Sequence, residues 1–308
     1  MRPLLYHAGQ IEVQAEANSR DLADRMAHWV GPAGKFAEQA DLLLFAAPDE
    51  AGVLQFVVVS GKAPLVSAGA DAIHIPSARA PLFRDGAYGA LAINLGEARR
   101  VRLNGRMRLD PAGGALEVEE AFTLCRKYLT RSTPLRPDGV HVGPEGSEPV
   151  RLDDGWVRRI VEGADTSFLA STAPGGEPDV AHRGGPAGFL NLDVSKRQLS
   201  WPEYVGDGVF KSAGNVRATG RMTLLVPDFE TGDAVAIVGR AEYTNERVLR
   251  AERRDPLEQH RTAHPVQGYM RCNIDSALRL RAVMHPRERH LASEAINSAS
   301  STDEQAPR

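Results

Sequence analysis

The feature that most constrains this chain is its succession of short apolar runs, each closed by a glycine- or proline-rich turn, with few helical stretches between them. Residues 41–47, 55–60 and 89–95 are rich in Leu, Val or Ile. Residues 167–172, 180–183, 188–193, 222–226 and 235–243 repeat the pattern. Such runs are strand signals, and many in series point to an antiparallel barrel or sandwich. Residues 101–109, VRLNGRMRL, alternate apolar and polar side chains straight through Asn104-Gly105. Asn-Gly is a hairpin signal, but unbroken alternation fits a bulged strand equally well. Three segments predict helices. They are 13–29, with Leu22, Met26 and Trp29 on one face; 153–162, with Trp156, Ile160 and Val161 as its stripe; and 245–264, stopped by Pro265.

A length of 308 residues suits two domains. Residues 134–149, PLRPDGVHVGPEGSEP, have the Pro, Gly and charge content of a linker. They divide the chain into an N-terminal domain, 1–133, and a C-terminal domain, 150–291. The tail 292–308 is polar and is expected to be disordered. The halves echo each other. PLVSAGADAIHI followed by VRLNGRMRL, and PDVAHRGGPAGFLNL followed by VAIVGRAEYT, each give a strand, a Gly-rich turn, a strand, and later a strand carrying Gly-Arg. A tandem duplication accounts for this order.

The net charge of −3 argues against a protein devoted to nucleic acid. No apolar run reaches the roughly eighteen residues of a membrane span, and the first residues lack the apolar stretch of a signal peptide. A cytoplasmic protein is expected. In a reducing compartment the two cysteines, Cys125 and Cys272, read as buried thiols rather than a disulfide.

Residues 179–189, DVAHRGGPAGF, offer an anion site: glycines admit backbone N–H groups to a phosphate, and Arg183 beside Gly184-Gly185 adds a charge-assisted contact. A tight turn with a solvated arginine reads as well. Residues 199–215, LSWPEYVGDGVFKSAGN, supply flat apolar surface in Trp201, Tyr204 and Phe210, a cation in Lys211 and an amide in Asn215. Core aromatics are the plainer account. The run Arg99, Arg100, Arg102, Arg106 and Arg108 fits a solvated strand face or a phosphate site equally.

The order of these motifs resembles the predicted flavin-nucleotide-binding proteins related to pyridoxamine-5′-phosphate oxidase. The resemblance rests on Phe168-Leu169-Ala170-Ser171, residues 179–189, Trp201 to Tyr204, Gly206-Asp207-Gly208, Gly214-Asn215, residues 228–233 and Gly239-Arg240-Ala241. In the first half, ARRVRLNGRM and FTLCRKYL, with Cys125, Lys127 and Tyr128, are similar to motifs of two-barrel relatives. Asp207 and Gly208 stand where the family pattern carries Asn and Arg, so an arginine for the flavin phosphate is missing there. The resemblance implies two tandem split β-barrels with a few covering helices, and FMN held noncovalently where barrels meet. It implies an FMN-dependent oxidoreductase acting on a small organic substrate. The alternatives are a non-catalytic flavin, deazaflavin or haem binder, and a cofactor-free scaffold. The candidate cofactor-binding residues are His182, Arg183, Gly184, Gly185, Trp201, Tyr204, Lys211 and Asn215. Arg183 is placed on the phosphate or ribityl chain, with Lys211 and Asn215 as helpers. No catalytic side chain is assigned. His260 and His264 are read as a surface pair, so no metal is expected. A monomer or homodimer is expected, because two barrels in one chain can cover each other's open faces.

Overall fold

A computed structural model of the chain describes residues 2–28, 30–79, 81–135, 139–251 and 264–290. The predicted tail 292–308, His260 and Trp29 lie outside the described residues.

The first segment is not one helix but several short elements: β1 (Arg2–Pro3), α1 (Ala8–Glu16), α2 (Arg20–Asp24) and β2 (Ala27–His28), followed by α3 (Val30–Ala37). Asn18 takes a left-handed backbone, φ 52°, and ends the helix that 13–29 was expected to form. Leu22, from the expected apolar face, is 41% exposed.

The first barrel follows as β3 (Leu42–Pro48), β4 (Leu54–Gly61), β5 (Ser67–Ala68), β6 (Ala72–Ile75), β7 (Gly86–Asn94), β8 (Arg99–Asp110) and β9 (Gly113–Thr123). Then come β10 (Arg131–Pro134), β11 (Val140–Gly143) and β12 (Gly146–Pro149). The second half comprises α4 (Gly155–Glu162), β13 (Thr166–Thr172), β14 (Pro178–Gly184), β15 (Asn191–Asp193), β16 (Gln198–Tyr204) and α5 (Lys211–Thr219). It ends with β17 (Arg221–Pro227), β18 (Ala234–Asn245), α6 (Glu246–Ala251), β19 (Val266–Arg281) and β20 (Arg287–His290). Of the predicted helix 245–264, the stretch 246–251 is helical and 252–263 lie outside the described residues.

The duplication is visible in the pairing. The first sheet runs β4-β3-β7-β8-β9-β6-β5 and the second β14-β13-β17-β18-β19-β16-β15, which is the same relative order. The register shifts at equivalent places too, between Asn104 and Gly105 in β8 and between Val238 and Gly239 in β18. In each pair the partner strand carries the extra residue, Glu119 in β9 and Asp275 in β19. Asn104-Gly105 is therefore a bulge site within a continuous strand, not a hairpin. A Cβ at Gly105 would meet the Glu117 carbonyl oxygen at 2.0 Å, so the bulge requires glycine there.

The described residues of 134–149 do not form a free linker. β11 extends the first sheet at β4, β12 joins the second at β19, and β10 pairs with β20. Proline and glycine are compatible with edge strands, and backbone pairing does not need apolar side chains, so composition hid these strands.

Each barrel has its own core, around Phe45, Tyr88 and Met107 in the first and Trp201, Leu224 and Met270 in the second. A third apolar layer lies between them, built from Leu44, Phe56 and Leu91 on one side and Phe168, Val180 and Leu225 on the other. At its edge the backbones nearly touch: a Cβ at Gly89 of β7 would meet the Asp179 Cα of β14 at 2.6 Å. A backbone cannot retreat as a flexible side chain can. Gly89→Ala is therefore expected to destabilise the chain by about 1–3 kcal/mol, the cost of overpacking, measured by urea unfolding. An unchanged midpoint would mean that the barrels are not held in this register.

Candidate functional site

A cleft opens beside the interbarrel layer. Both barrels line it, the first with Arg100, Arg102, Cys125 and Tyr128, the second with His182, Arg183, Glu203, Tyr204 and Lys211.

The arginine run on β8 divides between its two readings. Val101, Leu103 and Met107 point into the first barrel's core, so Arg100, Arg102, Arg106 and Arg108 share the outer face. The second barrel covers the first two, which are 8% and 5% exposed. Arg106 and Arg108 run past it into solvent, where they pair with Glu119 and Glu117. Arg102 crosses the interface to Asp179, Nη1 to Oδ1 at 3.1 Å. Asp179 also accepts from Asn104 Nδ2 at 3.1 Å and from Ser212 Oγ at 2.9 Å. Arg100 donates from Nη2 to the Lys127 carbonyl at 3.3 Å and approaches Cys125 Sγ at 3.7 Å.

Several nitrogens in this cleft have no protein partner among the described residues. They are Arg100 Nη1, Arg102 Nε and His182 Nε2. Their side chains are all more than nine-tenths buried. Buried donors are nearly always satisfied in folded proteins, so such a cluster calls for a partner. Burial above all, then Arg100 and Arg183, hold His182 well below the ordinary imidazole range. Burial likewise lowers Arg100, with Arg102 and Arg183 adding to it.

Helix α5 points its first turn at the same place, with Ser212 and Ala213 in the lining. Phe210 holds its N-cap position and has no side-chain oxygen to offer the free N–H groups. Two lining residues are backbone outliers: Tyr128 and Phe210 take φ 60° and 53°, the left-handed region that non-glycine residues avoid. Around the mouth, Tyr128 stacks near Tyr204 at 5.3 Å between ring centroids, and His264 meets both edge-on at 5.2 and 5.7 Å.

The sequence-predicted residues fare differently. His182, Arg183, Gly184, Tyr204 and Lys211 line the cleft. Arg183 is not free: its Nε donates to Glu203 Oε1 at 2.7 Å. Gly184 and Gly185 serve close packing rather than an open cradle, since Cβ atoms there would meet the Tyr128 carbonyl oxygen at 2.1 Å and Tyr204 Cε2 at 2.5 Å. Trp201 is fully buried in the second barrel, its Nε1 donating to Glu203 Oε1 at 2.8 Å, and it does not reach the cleft. Asn215 turns to another cavity, of about 750 Å³, whose lining includes His7, Asn104, Glu120, Asp179 and Lys211. There its Oδ1 accepts from Gln10 Nε2 at 2.9 Å and its Nδ2 donates to Ser171 Oγ at 3.1 Å. Lys211 stands between the two spaces, donating to the Leu5 carbonyl at 2.8 Å and paired with Glu120. Sequence reasoning missed Asp179 and Glu203 as partners of the cations. It also missed Tyr128 as the aromatic wall and Cys125 as a half-exposed thiol in the lining; only Cys272 is the buried thiol expected of both.

The pseudo-equivalent face of the second barrel lacks the cations. Aligning the two bulges places Ala234 and Ala236 where β8 has Arg100 and Arg102. Both alanines lie in the interbarrel apolar layer.

No protein-family model and no curated protein matches the chain. Similar solved structures include HupZ of Group A Streptococcus, 17% identical over 41% of this chain and 98% of its own, with a TM-score of 0.33. A protein of the pyridoxinephosphate oxidase family from Clostridium acetobutylicum is 9% identical over 43% of this chain and 90% of its own, at 0.28. An FMN-binding protein from Syntrophomonas wolfei is 15% identical over 40% and 82%, at 0.27. The chain is a tandem of two antiparallel β units with one strand order.

His182 gives the cleft a pH signature. An unfolded histidine titrates near ~6.5, whereas the folded imidazole stays neutral well below that. Below that pH the unfolded chain binds the extra proton, so stability is lost as the pH drops, at up to about 1.4 kcal/mol per unit. His182→Gln is expected to flatten the unfolding free energy between neutral pH and pH ~5 relative to the parent. Parallel curves would place His182 in a solvated setting.

Proposed function

We propose that this split-barrel protein binds one flavin mononucleotide per chain, with the phosphate in the cationic cleft between the barrels, and acts as a flavin-dependent oxidoreductase on a small organic substrate. The observation that carries this reading is the set of unpartnered guanidinium and imidazole nitrogens on Arg100, Arg102 and His182, buried together beside the first turn of α5. A phosphate dianion suits that set. It would take charge-assisted bonds from the guanidinium groups and N–H groups from the helix end.

The cleft, about 90 Å³, suits a phosphate group. It is smaller than the ~300 Å³ at which pockets begin to enclose whole ligands. In this reading the ring system lies against Tyr128 and Tyr204 at the mouth. The adjoining cavity, with Glu119, Glu120 and Asp179 in its wall, disfavours phosphate and has the size of a substrate chamber. Bound flavin supplies hydride chemistry. The chain's own residues bind the phosphate, orient the ring and keep the anion out of bulk water.

Titration of the flavin-free protein with FMN, followed by fluorescence quenching, tests this. One equivalent is expected, because Ala234 and Ala236 leave the pseudo-equivalent face without arginines. Arg100→Gln is expected to weaken binding roughly ten- to a hundred-fold, the value of a desolvated charge-assisted contact. Arg183→Ala is expected to weaken it by less, since Glu203 already holds part of that charge. No quenching at any FMN concentration, or an affinity unmoved in Arg100→Gln, would overturn the assignment.

A further inference from the structure

We infer that Cys125 is a modification site of the cationic cleft, where it forms a mixed disulfide with small anionic disulfides and thereby closes the cleft to its ligand. The inference rests on the reading above that the cleft takes anions, and adds a covalent partner to it.

Cys125 is a free thiol of intermediate exposure that lines the cleft. Cys272, by contrast, is fully buried in the second barrel, and burial pushes its thiol up to about 12. Arg100 Nη2 approaches Cys125 Sγ at 3.7 Å, while Nη1 of the same guanidinium has no partner among the described residues. An anionic reagent drawn to that nitrogen is therefore delivered next to the sulfur. Arg102, Arg183 and Lys211 line the same space and extend the attraction. Glu203 and Asp207 are in the lining as well, but the four cations outnumber them. A cleft with a net charge raises the local concentration of oppositely charged reagents, by roughly ten-fold or more.

The exchange is balanced as it stands. Cys125 Sγ attacks one sulfur of the incoming disulfide, a new S–S bond forms to Cys125, and the reagent's own S–S bond breaks. Its other half leaves as a thiolate, and the Cys125 proton passes to solvent. The oxidising equivalent moves from the reagent to the protein, so no further oxidant is needed. A carboxylate-bearing group tethered at Cys125 then occupies the phosphate position.

The test compares two disulfide probes on the full chain: dianionic dithiobis(nitrobenzoate) and uncharged dithiodipyridine. Cys125 is expected to react in the folded protein and Cys272 only after unfolding, as read by peptide mass mapping and by loss of the fast phase in Cys125→Ser. The ratio of the anionic to the neutral rate is expected to fall roughly ten-fold in Arg100→Gln, and likewise with saturating inorganic phosphate or raised salt. A ratio unmoved by Arg100→Gln and by phosphate, or a Cys125 no more reactive than Cys272, would overturn the inference. A parallel FMN titration keeps the two readings apart. Charge-selective reaction without FMN binding upholds the thiol site and sinks the flavin assignment. FMN binding to a chain whose Cys125 shows no charge selectivity does the reverse.

Discussion

The arrangement of the two barrels depends on the buried pair between Arg102 and Asp179. Both side chains are almost wholly removed from water, and Asp179 takes further hydrogen bonds from Asn104 and Ser212. Two ions in such a place give little net stability, but removing one strands the other at a cost of several kcal/mol. The pair therefore acts chiefly on register. The backbone of Asp179 is also where Gly89 makes its closest approach, so the ionic hub and the tightest steric contact fix the same point. Slide one barrel along the other and both fail together. The pair also turns Arg102 so that its Nε remains unpartnered in the cleft. Interface and site thus share a residue.

A duplicated fold starts with two equivalent faces, and this chain has divided the work between them. Where Arg100 and Arg102 leave β8, the second barrel meets them with Asp179, a histidine and a helix end. Where their counterparts would leave β18, Ala234 and Ala236 pack into an apolar layer with Leu280 and Met284. The asymmetry follows from desolvation. Each buried cation needs its own partners, and a second set would have replaced the apolar surface that holds the barrels together. The added strands β11 and β12 lie at this apolar end and tie it to both sheets.

Much of this was legible in the sequence because it depends on local pattern. Alternation and turn residues mark most of the barrel strands, and the order of Gly-Arg motifs reveals the duplication. The residues that remained illegible are those whose role is set by what covers them. Arg100 and Arg106 share one face of one strand, and only the position of the second barrel makes the first a buried cation and the second a solvated one. Trp201 and Tyr128 are both aromatic and both lie within sequence motifs. Trp201 is sealed inside its own barrel, whereas Tyr128 reaches the cleft from a loop of the other half. Residues 134–149 carry the composition of a linker, yet their backbone pairs with two sheets, and composition does not report backbone pairing. Asp179 was read as part of a motif, but its function as an interbarrel acceptor needs three donors from distant parts of the chain.

The backbone strain at Tyr128 and Phe210 extends the same logic. A left-handed backbone costs a non-glycine residue about 1–2 kcal/mol, and these two residues, one from each half, adopt it in the lining of the cleft. Neither half offsets that cost alone. Tyr128 belongs to the first half, yet its ring stacks on Tyr204 and its hydroxyl reaches the Val205 carbonyl at 3.5 Å, both in the second. Phe210 starts α5, which is held by α1 of the first half through a helix crossing that only glycine permits: a Cβ at Gly214 would meet the Gln10 Cα at 2.4 Å. The strained conformations are thus imposed by the docking of the barrels, and they place the aromatic wall and the helix end at the cleft. A single half would keep its own core but lose the contacts that impose them. The cleft, its cations and its strain belong to the docked pair and form with it.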